Sequence, residues 1–383
     1  MLFHSYEKKK PLPARNSHGT LASISGGSLF FFMRFFSWFL GGILVCAVVS
    51  AGAKEKTWVQ IRSSHFTVVT DLGKERGIEA ARHCEQMRAA FHLLMTKAKT
   101  DDVKPLLIFA LDGEKEVDRL LGRPKAKHTG LFLPGQGKNF ILVDASADPR
   151  HAVYHEYIHE LLKANSSSAV PTWFEEGFAE YFSTVQVTVK GTKLGLVPIG
   201  ELQFLRQNGK LMRISDLFAV GQDSKLYNQN GPTQAMFYAE SWLLVHYIFD
   251  HDLISHVEPL FSRVSNGQPL SIAIPAEFGI SITQLESDLL EYAKGERFRF
   301  FSLPAVQVSD AMAVMNLSPI TVRALRSDLQ WHASTRHSKQ DVSAYLEEMR
   351  SLLREEPNNS TVRQLLASMP VDEQTAEISA DKK

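Results

Sequence analysis

His155-Glu156-Tyr157-Ile158-His159, followed at 171–181 by Pro-Thr-Trp-Phe-Glu-Glu-Gly-Phe-Ala-Glu-Tyr, decides how the rest of this 383-residue chain is read. Asp148-Pro149 stands just ahead of it, with Asp as N-cap and Pro at the first helical position, so the spacing predicts a helix to about Lys163. On a helix, residues i and i+4 share one face. His155 and His159 can therefore aim imidazole nitrogens at one ion. Glu156, displaced by one position, does not compete as a ligand but can reach a water held there and act as general base. Zinc suits two histidines and a carboxylate and leaves a position for water.

The third ligand must come from a second helix, predicted from near Pro171 to near Ser183. Glu176 stands seventeen positions past His159, and a short loop would bring it beneath the metal. Glu175 is the alternative; the two point about 100° apart, so only one can face the ion. Gly177 would let the helix backbones approach closely. Glu180, one turn after Glu176, can accept the free ring N–H of a ligand histidine and fix its tautomer. A bare H-E-x-x-H is only a hypothesis; here a helix start and a second acidic helix accompany it. His65, His83, His92, His128, His246, His251 and His256 read as ordinary surface or core residues.

Together, His155 to His159 and Trp173 to Tyr181 resemble the gluzincin metallopeptidases, and most of all the bacterial peptidase-MA-like group. The resemblance covers most of 57–295. It implies an α+β, zincin-like fold: a small mixed sheet with the active-site helix, a mainly helical subdomain, then a helical C-terminal extension. It implies Zn2+ held by His155, His159 and Glu176, with Glu156 as catalytic base and a peptide or protein as substrate. It makes the strand near Asn139 to Val143 the sheet edge on which an extended peptide pairs. Tetratricopeptide-type repeats often follow such domains, and residues 341–368 look like a short fragment of one, a surface for a protein partner. Two departures matter. The gap from His159 to Glu176 is a little shorter than in the aminopeptidase and thermolysin branches, and no G-x-M-E-N signature is present, so aminopeptidase activity is not carried over. Tyr238, on the predicted helix 232–249, is the candidate oxyanion donor. Two other classes stay open: a non-catalytic zinc-fold binding module, and a zinc hydrolase of a non-peptide amide. Glu156 argues against the first, because a dead enzyme has no need of it.

Upstream, 57–70 end in a β-rich run from His65 to Thr70. Residues 74–98 carry a helical stripe of Ile78, Ala81, Cys84, Met87, Ala90, Phe91, Leu94 and Met95. Pro105–Leu111 is a continuous apolar run of the buried-strand kind, 114–121 a short helix, and Leu131–Leu133 and Phe140–Val143 two more strands. The order β-α-β-α-β-β gives a mixed sheet with helices packed on it. Downstream, 185–199 read as a hairpin turning near Lys190-Gly191, and 200–298 as mostly helical, best at 232–249, 252–264 and 281–294. Residues 304–369 show helical patterning and no strand signal.

The domain reading is therefore 1–32 as a disordered tail or start-site artefact, 33–53 as signal peptide or anchor, 54–298 as the metallopeptidase domain, 304–370 as the helical extension and 371–383 as a disordered tail. Residues 35–53 are uncharged and end in Ala51-Gly52-Ala53 after Arg34, the pattern of a secretory signal. Counted from Leu29, the same run is long enough to anchor the chain in a membrane uncleaved. Both readings place the body outside the cytoplasm, periplasmic or extracellular. The 42 basic and 42 acidic residues cancel; five of the former and one of the latter fall in 1–53, leaving 54–383 at −4. That excludes a basic nucleic-acid binder. Cys46 and Cys84 alone exclude a disulfide framework.

Overall fold

A computed structural model describes residues 56–369 apart from 97, 101–103, 123–129, 136, 147, 167–169, 229–230 and 335–337. The expectations for 1–53, for His128 and for 371–383 lie outside the described residues. Among the described residues, no helix is long and apolar enough to cross a membrane.

The chain opens with strands Val59–Arg62 (β1) and Thr67–Thr70 (β2), then helix Lys74–Leu94 (α1), strand Leu106–Leu111 (β3), helix Glu114–Leu121 (α2), and strands Gly130–Pro134 (β4) and Asn139–Asp144 (β5). Helices Arg150–Asn165 (α3) and Thr172–Ser183 (α4) follow, then the hairpin Gln186–Thr188 (β6) and Gly191–Leu194 (β7). Next come helices Ile199–Asn208 (α5), Ile214–Phe218 (α6), Lys225–Asn228 (α7), Pro232–Asp250 (α8), Val257–Ser265 (α9), Leu270–Phe278 (α10) and Ile282–Lys294 (α11). Strands Phe301–Leu303 (β8) and Ala313–Asn316 (β9) precede helices Pro319–His332 (α12), Lys339–Glu355 (α13) and Ser360–Ser368 (α14). This is a mixed α+β architecture, as the sequence implied.

The main sheet has the order β4-β5-β3-β2-β1-β9, and a smaller one the order β6-β7-β8. β2, β3 and β5 run parallel; β4, β1 and β9 are antiparallel to their neighbours. Side chains alternate across the pleat. The row Val68–Ile108–Ile141 faces the large core with α1 and α3, and the row Val69–Phe109–Leu142 faces a second core with α2 and α12. Burial on both faces is why Pro105–Leu111 reads as an unbroken apolar run.

Three expectations are corrected. The stretch 57–70 holds two strands, not one: the chain reverses at Ser63–Phe66 (Ser63 N–H to Phe66 C=O, 3.0 Å) and β1 pairs with β2. The reading of 304–369 as free of strands fails at β9, which pairs with β1 and closes the far edge of the main sheet. All four β9 residues are exposed, so no alternation betrays the strand. Finally, the strand at Asn139–Val143 is not a sheet edge. β5 lies between β4 and β3, and the edge beside the ligand helix is β4.

Candidate metal centre

α3 carries His155 and His159 and is held from both ends. Asp148 Oδ1 accepts the Arg150 N–H (3.0 Å) and the Pro149 carbonyl accepts Val153 N–H (2.8 Å), so the Asp-Pro pair starts the helix one residue later than expected. At its C-terminus Asn165 Nδ2 donates to the Leu161 carbonyl and to that of Lys99. Between these ends the helix is buried almost all round, with Tyr154, Tyr157, Ile158, Leu161 and Leu162 in the core.

α4 is seated by aromatics. Phe174, Phe178 and Phe182 stack along it and meet Phe91, Phe249 and Phe261 from α1, α8 and α9. Gly177 takes the crossing with α8: a Cβ there would collide with the Ser241 carbonyl. The close approach this glycine permits is to α8, not to α3 as the sequence implied.

The two helices bring His155, His159 and Glu176 together, with one ligand atom of each within 4.8 Å of the others. His155 Nε2 lies 3.2 Å and His159 Nε2 3.7 Å from Glu176 Oε2. Donors bound to a tetrahedral zinc at about 2.1 Å stand roughly 3.4 Å apart, so this spacing fits one ion among the three. Glu176 Oε2 is buried without a hydrogen-bond partner, although its sister Oε1 accepts the Tyr227 hydroxyl at 2.6 Å. A buried carboxylate oxygen left orphaned between two imidazoles fits a cation ligand. Glu175 is not in this group; its Oε1 lies 3.3 Å from the other nitrogen of His159, Nδ1.

Each imidazole is backed by a carboxylate at its other nitrogen. His155 Nδ1 is 3.3 Å from Glu180 Oε1, and His159 Nδ1 is 3.3 Å from Glu175 Oε1; both are ion-pair contacts rather than well-aligned hydrogen bonds. Directed at Nδ1, they leave Nε2 of each ring as the atom that faces Glu176 Oε2 and is available to an ion. Gln222 Nε2 in turn donates to Glu175 Oε2 at 2.9 Å. Glu180 thus takes its expected place, and Glu175 is a supporting residue that spacing did not foresee.

The charges follow the geometry. Burial works against ionisation of both histidines, but Glu180 and Glu176 around His155, and Glu176 and Glu175 around His159, outweigh it and raise both imidazoles above the usual range. Burial would raise Glu176; the two imidazoles reverse that and lower it. The carboxylates and the two imidazoles thus stabilise one another's charged forms.

Glu156 is buried beside the same imidazoles, and its charge is felt by His155, His159 and Tyr238. Its carboxylate abuts the first residue of β4. A Cβ on Gly130 would come within 2.7 Å of Glu156 Oε1. Tyr238, the expected oxyanion donor, stacks on Tyr227 with ring centroids 6.3 Å apart. Tyr227, which reaches the centre from the short helix α7, was not anticipated; nor was His151, whose ring stacks on His155.

The other histidines sit elsewhere. His65 pairs with Glu85, His83 with Gln86, His251 with the Tyr247 carbonyl and His256 with Glu277; His92 is exposed. His246 is fully buried between Tyr292 Oη (2.7 Å) and the Gly195 carbonyl (2.9 Å).

A family described as "protein of unknown function (DUF1570)" matches residues 150–271, which span α3 to the start of α10 and include His155, His159 and Glu176. No curated protein matches the chain.

Proposed function

We propose that this protein is an exported zinc-dependent hydrolase of peptide bonds, of the gluzincin kind. The carrying observation is the convergence of His155 Nε2, His159 Nε2 and the orphaned Glu176 Oε2, with a further carboxylate, Glu156, buried beside them. Zinc bound there would supply Lewis acidity and a water with pKa near about 7. Glu156 is placed to accept a proton from a water at the centre and to pass it to the leaving amine. Tyr227 occupies Glu176 Oε1 and so favours ligation through Oε2 alone. Burial and the nearby Glu176 hold the Tyr238 hydroxyl protonated, as a hydrogen-bond donor to developing charge must be, whereas the Tyr227 proton is already given to Glu176.

Peptide is favoured over other amides by β4. Among the described residues it pairs with β5 alone and begins against Glu156, so an extended chain adding beyond Gly130 along its outer side would bring a backbone carbonyl to the centre. Export rests on the apolar run to Ala53.

The test is metal analysis of purified protein together with cleavage of an unbiased peptide library. About one zinc per chain and cleavage abolished by a chelator are expected. Substantially less than one zinc, in native and zinc-refolded protein alike, would sink the reading. A zinc-loaded protein that cleaves no peptide but binds a protein partner would replace it by the binding-module alternative.

A further inference from the structure

We propose that His151 is a positioning residue for the metal centre: by holding one oxygen of Glu180 it keeps the other on the ring of His155. The inference rests on the reading of His155, His159 and Glu176 as a metal site.

His151, His155 and His159 follow one another at four-residue steps along one side of α3. Glu180 bridges the first two. Its Oε1 is 3.3 Å from His155 Nδ1 and its Oε2 is 3.2 Å from His151 Nε2. Ser183, one turn further on α4, completes the arrangement: its Oγ donates to the Glu180 carbonyl at 2.7 Å and lies 2.9 Å from His151 Nε2. A hydroxyl has one proton. With that proton on the Glu180 carbonyl, Ser183 Oγ accepts from His151, so the Nε2–H of His151 points at both Ser183 Oγ and Glu180 Oε2.

Each oxygen of Glu180 therefore faces a different imidazole, and the carboxylate is buried. Turning it away from His155 would also leave the His151 N–H with a poorer partner, which costs free energy. The His151 side chain, by contrast, is 49% exposed. Core packing gives little reason for an imidazole at that position; the contact with Glu180 and the stacking on His155 do. Nor is this a second metal centre: among the described residues, only His155, His159 and Glu176 gather three ligands.

The experiment measures zinc affinity by competition with a chromophoric chelator, and the melting temperature of metal-free protein. The proteins are wild type, His151→Ala, His151→Gln, Glu180→Gln and the double variant His151→Ala/Glu180→Gln. Loss of an outer carboxylate costs about 10–100-fold in metal affinity, which is the expectation for Glu180→Gln. His151→Ala, acting through Glu180, is expected to cost roughly 3–10-fold, less than the carboxylate it orients. His151→Gln, whose amide can donate from nearly the same place, is expected to restore most of that loss. The double variant is expected to lose no more than Glu180→Gln alone, because residues acting through one contact are not additive. The metal-free melting temperature of His151→Ala should stay at the wild-type value. Wild-type affinity in His151→Ala, losses that add in the double variant, or a loss accompanied by an equal destabilisation of metal-free protein would each overturn the proposal and leave the metal site standing. A wild type that binds no zinc would overturn both.

Discussion

Glu156, Glu175 and Glu176 all lie close to His159, yet each should respond differently to replacement by glutamine. Glu156→Gln keeps the shape and a hydrogen bond to water but cannot accept a proton at neutral pH. Turnover should fall by about 10²–10⁴-fold or more, with zinc content unchanged; full turnover on a substrate the wild type cleaves would refute the mechanism. Glu176→Gln replaces an anionic ligand by a neutral one between two imidazoles and should release the metal to a weak chelator. Glu175→Gln removes charge 3.3 Å from His159 Nδ1 and should weaken zinc by about 10-fold, at the low end for an outer partner. The sequence shows His155, Glu156 and His159 together because helical spacing sets them within one turn; it offers Glu176 only beside Glu175, and the resemblance chooses between them. It does not show Tyr227, which comes from a four-residue helix 51 positions past Glu176. No local period records such a contact.

Elements became legible where burial imprinted a pattern. α2 falls at 114–121 as predicted, and α4 within a residue of its predicted start. β9 left no imprint, and the choice of β4 over β5 as the edge is a matter of pairing order, which a list of strands does not contain. Two predictions belong here. Gly177→Ala would drive a methyl into the Ser241 carbonyl of α8, and backbone cannot yield as a flexible side chain does. Destabilisation of about 1–3 kcal/mol is expected, the usual range for overpacking, read by denaturant unfolding and accompanied by weaker zinc binding because Glu176 is the preceding residue. A fully stable variant would mean that α4 and α8 are looser than described. The second concerns α8. His246 is lowered from 6.5 chiefly by burial, with Arg299 in the same sense and against Asp250 and its bond to Gly195; Tyr181 and Tyr292 also face it. The unfolded chain therefore binds this proton more readily than the folded one. Its contribution is full above pH 6.5 and declines as pH falls below that value toward the lowered folded pKa. His246→Gln, which cannot take up a proton, should flatten the stability profile between pH 7.5 and 5.5 relative to wild type; parallel profiles would show that His246 does not set it.

At the scale of the molecule, residues 304–369 read from sequence as a helical appendage, yet they enter the sheet and cover it. β9 supplies the far edge, pairing all four of its residues with β1. α12 places Leu325 and Leu329 against Val69, Phe109, Leu142 and the α2 leucines. It is tied there by Gln330 to the Leu120 carbonyl (3.0 Å) and by Asp328, buried beneath Lys138 at 2.5 Å. Lys138 lies in the turn between β4 and β5, so the same helix steadies the hairpin whose edge flanks Glu156. α13 and α14 instead pack on α12 through Tyr345, Leu346, Met349, Leu352, Val362 and Leu365, away from the sheet. Truncation should therefore have two outcomes. A chain ending at 303 loses the edge strand and uncovers a sheet face rich in Phe and Leu, and should be recovered aggregated or without cooperative unfolding. A chain ending at 334 keeps β9 and α12, exposes only the outer side of α12, and should still melt cooperatively and bind zinc with near wild-type affinity. Equal behaviour of the two truncations would deny α12 its covering role. A stable, zinc-binding chain ending at 303 would restore the appendage that the sequence suggested.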